Sequence, residues 1–178
     1  MKTSLRLLPT IGLLSLCTAG IALAQQQATV DINKISEAGV GEKIGTIRIT
    51  ESKKGVTLAV ALTGIPAGSH GFHLHEKGDC GPGTKDGKAQ AGLAAGPHYD
   101  PDSKKAHKGP HGAGHKGDLP LLKADAKGVK QTVTAPRLKM ADLQGRALVI
   151  HEGGDNYTDQ PENGGGAGRI ACGVIPKG

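Results

Sequence analysis

Tryptophan is absent from this 178-residue chain, and the remaining aromatics are one phenylalanine and two tyrosines. Proteins that bind single-stranded nucleic acid without sequence preference stack bases on aromatic rings, so the mild excess of 22 basic over 16 acidic residues does not make a nucleic-acid binder here. Large aromatics also contribute disproportionately to buried area, and a core this lean calls for cross-links or bound ions. Three cysteines are too few for a disulfide-dense scaffold. No long segment repeats its apolar residues with a 3.6-residue period, which excludes a helix bundle.

One apolar run stands out, at the amino terminus. Lys2 and Arg6 precede it, and Ala22-Leu23-Ala24 closes it ahead of Gln25, the three-part pattern of a secretory signal peptide cut after Ala24. Pro9, Gly12 and Gly20 interrupt the run and count against a membrane anchor. Residues 1–24 are thus expected to be removed, leaving residues 25–178 as one exported domain with no membrane attachment. Losing Lys2 and Arg6 takes the formal charge from +6 to +4. It also discards Cys17, and with Cys80 and Cys172 alone in an oxidising compartment a single disulfide is the simple inference.

Short strands punctuated by Gly, Pro and Asp fill most of that domain. They are expected at residues 28–33, 43–50, 55–64, 68–76, 130–135, 146–152 and 168–175, with a weaker one at 92–96 and a helical turn before Gly145. In the third, Val56, Leu58, Val60 and Leu62 alternate with Thr57, Ala59 and Ala61, the period of a half-buried strand. An antiparallel sandwich or barrel follows. Residues 78–120 stand apart, rich in Gly, Pro, Lys and His and poor in strand character, and a connection of that length is usually functional or disordered.

The histidines favour function. In "GFHLHE", Phe72 and Leu74 face one way while His73 and His75 face the other, with Cβ atoms roughly 6 to 7 Å apart, a span that one ion can bridge. His151 shares a face with Val149, opposite Leu148 and Ile150. Within the long connection, His98, His107, His115 and Asp118 would form the nitrogen and oxygen set of a structural zinc ion. An imidazole-rich set without thiolates suits copper(II), zinc or nickel. Two four-coordinate ions need eight donors where these side chains number seven, so one imidazole would have to serve both through its two ring nitrogens.

The segments "GFHLHEKGDC", "GPHYDP", "KAHKGPHGAGHKGDLP", "VIHEGGDN" and "GRIACGVI" occur in an order and spacing that resembles the copper/zinc superoxide dismutases, in particular their bacterial periplasmic branch. The likeness covers residues 28 to about 175. It implies an all-β fold, a Greek-key β-sandwich or flattened eight-stranded barrel with long metal-binding loops. It implies one copper and one zinc ion per subunit, a monomer or homodimer, and dismutation of superoxide by copper redox cycling. By the same resemblance His73, His75, His98 and His151 hold copper, while His98, His107, His115 and Asp118 hold zinc. The Cys80–Cys172 disulfide, an anion-guiding Arg169, a catalytic His98 as bridge and an Asp155 linking the two sites are implied as well. His70 falls where the family has a structural histidine, and His111 is expected to be a solvated loop residue. Charge and loop position add Lys85 and Lys88 as candidates for steering a small anion.

Overall fold

A computed structural model describes residues 26–177, so the signal-peptide expectation lies outside the described residues. Among the described residues eleven strands form in chain order: β1 (Gln27–Ser36), β2 (Gly39–Ser52), β3 (Gly55–Leu62), β4 (Gly68–His70), β5 (Phe72–His75), β6 (Gly83–Lys85), β7 (Lys88–Gln90), β8 (Leu122–Ala124), β9 (Val129–Ala135), β10 (Ala147–His151) and β11 (Arg169–Val174). A four-residue helix, α1 (Met140–Leu143), precedes β10 where the helical turn was expected.

Seven strands make one curled antiparallel sheet in the order β5-β10-β11-β1-β2-β3-β9. The all-β expectation holds, with β4 paired to β8 and β6 paired to β7 as separate two-stranded ribbons. Three details differ from the sequence reading. The segment around residues 92–96 is a 3-10 turn, Leu93–Ala95, because Gly92 takes a left-handed φ of 63° that an extended strand does not. The expected strand at 68–76 divides at Gly71, whose N–H donates to the Gly153 carbonyl instead of continuing one ladder. The long connection contains the β6–β7 hairpin, which its glycine and lysine content hid.

The curl closes over aliphatic side chains. Val30, Ile32, Ile47, Ile49, Leu58, Leu74, Leu148 and Ile150 pack together, with Phe72 as the one fully buried aromatic. At about 1.5 to 3 kcal/mol per fully buried large apolar side chain, the β-branched and leucine residues supply what few aromatics can. The opposite face of β10 packs differently. Ala147 and Val149 join Ile35, Ala95 and the Cys80–Cys172 disulfide in a smaller cluster, whose half-cystines lie 92 residues apart in sequence. That bond fastens the long connection to β11.

Strand β5 is an edge of the seven-stranded sheet, and its free side is taken up by the long connection. Leu74 N–H donates to the Gly117 carbonyl, Tyr99 N–H to the Leu74 carbonyl, and Leu119 N–H to the Phe72 carbonyl. Exposed strand edges invite foreign pairing, and here the loop itself covers one. The covering aligns His98 opposite His75 and Asp118 opposite His73.

Candidate metal centre

Because β5 and β10 pair in register, Val149 opposite His73 and Ala147 opposite His75, their polar faces coincide. The His73 and His75 ring centroids lie 6.3 Å apart. A register shift after Ile150 lets His151 turn toward them, with its ring 4.8 Å from that of His73. His98 arrives from the connection and stacks 3.9 Å from His73. The donor atoms of His73, His75, His98 and His151 all lie within 4.8 Å of one another.

The same limit of 4.8 Å holds for His98, His107, His115 and Asp118. Asp118 Oδ1 stands 2.9 Å from His107 Nδ1, 3.3 Å from His98 Nδ1 and 3.4 Å from His115 Nδ1. Only the contact with His98 has hydrogen-bond geometry, and the others are rings converging on a point rather than donating to the carboxylate. The structure therefore brings together every histidine that the sequence singled out as a ligand, in two groups that share His98.

Four of the rings, those of His73, His75, His107 and His151, are held by the nitrogen that faces away from their group. His75 donates from Nδ1 to the Gly96 carbonyl at 2.8 Å, and His151 Nδ1 lies 3.4 Å from the Ala167 carbonyl. Asp155 accepts from Nε2 of His73 and from Nε2 of His107, both at 2.8 Å, and from the Tyr157 N–H at 2.7 Å. These contacts also explain the third cluster, of His73, His107 and Asp155, which is hydrogen-bonded together and offers no third ion site. Gly164 makes the arrangement possible, since at its φ of 77° a Cβ would meet Asp155 Oδ1 at 2.0 Å.

The inward nitrogens then have nothing to bond. Nδ1 of His73, His107 and His115 and Nε2 of His75 and His151 are buried with no hydrogen-bond partner among the described residues. Leaving a buried polar atom unsatisfied costs about 1 to 3 kcal/mol, and five such atoms aimed into two spots fit a pair of metal ions. The four-imidazole set suits copper(II), and the three-imidazole, one-carboxylate set suits zinc.

Electrostatics divides the groups further. Burial, reinforced by the neighbouring rings, lowers His73, His75 and His98, and it pushes His151 down to about 3. These rings are neutral at pH 7, as metal ligands must be. His107 goes the other way: burial alone would lower it, but Asp118 and Asp155 on its two sides push it up to about 9. Burial alone would raise Asp118, yet contacts with His107, His115 and His98 hold it far below the ordinary carboxylate range.

Arg169 sits at the mouth of the four-histidine group. A cleft of about 710 Å³ opens there, lined by His98, His151, Arg169, Lys85, Glu37 and Glu162 among others. Arg169 Nη1 and Nη2 donate to the carbonyls of Gly92 and Gly96 at 2.6 and 2.8 Å. His70 is buried outside both groups, its ring nitrogens 2.8 Å from the carbonyls of His151 and Pro66, where it braces β10. His111 is exposed and belongs to neither group. The sequence reading did not find the carbonyls of Gly96 and Ala167, since backbone acceptors carry no residue signature, nor the bond from His107 N–H to Asp159.

Comparison with known proteins agrees with this geometry. Residues 43–175 match the family model described as copper/zinc superoxide dismutase. The chain is 47% identical over 169 residues to a Cu-Zn superoxide dismutase of Escherichia coli, covering 93% of this chain and 97% of that protein. Among solved structures, the Cu/Zn superoxide dismutase from Brucella abortus superposes with a TM-score of 0.82 at 48% identity, covering 84% of this chain and 99% of that one. The solution structure of the monomeric copper, zinc enzyme from Salmonella enterica gives a TM-score of 0.75 at 48% identity and the same coverage.

Proposed function

This chain belongs to the copper/zinc superoxide dismutase family, and from that premise we propose that His73, His75, His98 and His151 hold copper while His98, His107, His115 and Asp118 hold zinc. The reading is carried by the five buried ring nitrogens that lack partners and divide between two groups sharing one imidazole. The protein converts superoxide to dioxygen and hydrogen peroxide: two superoxide anions and two protons yield one molecule of each product.

Bound copper supplies the one-electron chemistry, and zinc, which has no redox chemistry of its own, is structural. The remaining work falls to the protein. Arg169 presents a permanently charged fork at the cleft, attracting and orienting a small oxygen anion beside the four-histidine group. Asp155 fixes the tautomers of His73 and His107, so that each turns a lone pair inward. Nδ1 of His98 lies 3.3 Å from Asp118 Oδ1, on the side that would hold zinc, so Nε2, on the side that would hold copper, is the nitrogen that would take a proton when it is not holding the metal and deliver it to the reduced substrate. Burial of the ring cluster keeps bulk water off all but the mouth.

All the proposed ligands come from one chain, so neither group needs a partner subunit for completion. The protein acts as a monomer or homodimer in the periplasm, exported by a signal peptide removed after Ala24, where it protects the cell envelope. The disulfide between Cys80 and Cys172 suits that oxidising compartment. Stopped-flow decay of superoxide, together with electron-spin resonance of the copper- and zinc-loaded exported form, tests the proposal. Rapid decay and nitrogen-coordinated copper are expected; no acceleration, or copper without nitrogen couplings, would refute it.

A further inference from the structure

We infer that Arg137 is a positioning residue for the zinc group, holding the loop from His107 to Asp118 in its ligand-bearing shape from outside. The inference rests on the zinc assignment proposed above. Arg137 lies between β9 and α1, remote in sequence from that loop. Its Nε donates to the Pro110 carbonyl at 3.1 Å, Nη1 to the Gly114 carbonyl at 2.9 Å, and Nη2 to the Gly109 carbonyl at 3.1 Å and to the His115 carbonyl. One guanidinium therefore gathers four carbonyls from a stretch bounded by two proposed ligands. Its planar fork serves divergent acceptors in a way that no other side chain can.

The loop between them is polarised. On its inner side, Lys108 and Gly109 N–H donate to Asp118 Oδ2 at 3.1 and 3.2 Å, and His115 N–H closes the loop on the Ala106 carbonyl at 2.8 Å. Two peptide N–H groups thus point at the carboxylate while four carbonyls point at the guanidinium. Negative charge inside and positive charge outside both favour this one orientation of the peptides. Two of the four carbonyls accept a second bond, and both are longer: Gly112 N–H to Gly109 at 3.3 Å and Asp118 N–H to His115 at 3.4 Å.

The same chain segment grips the loop a second time. Asp142 in α1 accepts from Lys116 Nζ at 2.7 Å and from the Tyr99 hydroxyl at 3.4 Å, next to His115 and His98 in sequence. A flexible loop has to lose its conformational freedom when it closes on an ion, and Arg137 removes much of that freedom in advance. The copper group gains little from this clamp, because His73, His75 and His151 are set by strands.

Zinc(II) binding to Arg137→Ala, Arg137→Lys and unaltered protein, each copper-free, measured by competition with a chromophoric chelator, tests the inference. Copper(II) binding to the zinc-free proteins and the visible spectrum of cobalt(II) in the zinc group complete the set. Arg137→Ala should weaken zinc at least tenfold, change copper affinity by less than twofold and broaden the cobalt spectrum, with Arg137→Lys recovering only a minor part. Equal zinc affinity in all three proteins, or equal losses at both groups, would overturn the positioning role. Unaltered protein that takes up no zinc would instead sink the site assignment on which it rests.

Discussion

Arg169 and His75 donate to one oxygen: the Gly96 carbonyl accepts from Arg169 Nη2 and from His75 Nδ1, each at 2.8 Å. The charge at the cleft and the orientation of a proposed copper ligand are tied through a single backbone group. Arg169→Ala should therefore do two things. It should lower kcat/KM roughly tenfold at low ionic strength, within the range over which charge steers small anions, and it should alter the copper electron-spin spectrum as His75 loosens. Arg169→Lys keeps the charge but cannot serve both Gly92 and Gly96, so it should restore the salt dependence more fully than the spectrum. A spectrum unchanged in both variants would separate the two functions.

The two lysines expected to steer a small anion are not equivalent in position. Lys85 and Lys88 face each other across the β6–β7 hairpin, but Lys85 lines the cleft and Lys88 is not among its lining residues. At about 0.1 to 0.15 M salt, the field of an exposed charge is largely screened beyond about 8 to 10 Å, so position decides. Lys85→Ala should flatten the slope of rate against ionic strength, Lys88→Ala should do so less, and Glu162→Gln at the same mouth should raise the low-salt rate. Equal slopes for the two lysine variants would count against a localised field.

Much of the fold was legible because its strands alternate, and the proposed ligands stood out because histidine is scarce and chemically distinctive, eight in the whole chain. The expected strand through residues 55–64 starts with β3 and overruns it by two residues, its core readable since Val56, Leu58, Val60 and Leu62 must all point inward. The H-x-H pair was readable for the same reason: a two-residue period puts both rings on one face. What the sequence hid is held by backbone. Gly92 turns an apparent strand into a 3-10 turn whose carbonyl is then available to Arg169. Arg137 offered no signal either, because its four partners are carbonyls from residues 109–115 and a carbonyl has no letter in the sequence.

Asp155 serves two rings at once, and its replacement should affect both metals. An asparagine there has one acceptor oxygen, so either His73 or His107 would face an N–H group and have to change tautomer, turning its own N–H toward the ion. Asp155→Asn should weaken zinc and copper by about 10- to 100-fold, as loss of outer carboxylates does. Gly164→Ala should act in the same direction by pushing the carboxylate aside. Chelator competition for each metal measures both effects; loss at one group alone would show that the two rings are positioned independently.

Reduction of the Cys80–Cys172 bond should be costly. Its 92-residue separation corresponds to a chain-entropy contribution of about 4 to 5 kcal/mol, an upper figure. Cys80→Ser should lower the melting temperature by on the order of 10 °C. It should also free the segment whose Gly92 and Gly96 carbonyls hold Arg169, so activity should fall below the melting range. Calorimetry with parallel rate measurements checks this, and an unchanged rate at 25 °C would show that Arg169 keeps its place without the cross-link.

Finally, the metal-free protein should have a lopsided pH profile. His73, His75, His98 and His151 are lowered from 6.5 by burial, His151 to about 3, so the unfolded chain binds their protons first. Their neutral, folded forms carry no penalty above pH 6.5, and stability is lost as pH falls from there toward 3, by up to about 1.4 kcal/mol per unit for each ring. His107 has the opposite sign. Raised to about 9, it contributes fully below 6.5 and loses that contribution as pH climbs to 9. Four groups against one make the acid limb steeper, with the summit near pH 6.5. Urea unfolding from pH 4 to 9 measures the profile, and loading both metals should move the acid limb lower, because protons must then compete with bound ions for the same nitrogens. An apo-protein with equal stability at pH 4.5 and 6.5 would mean that the rings are not buried as neutral imidazoles.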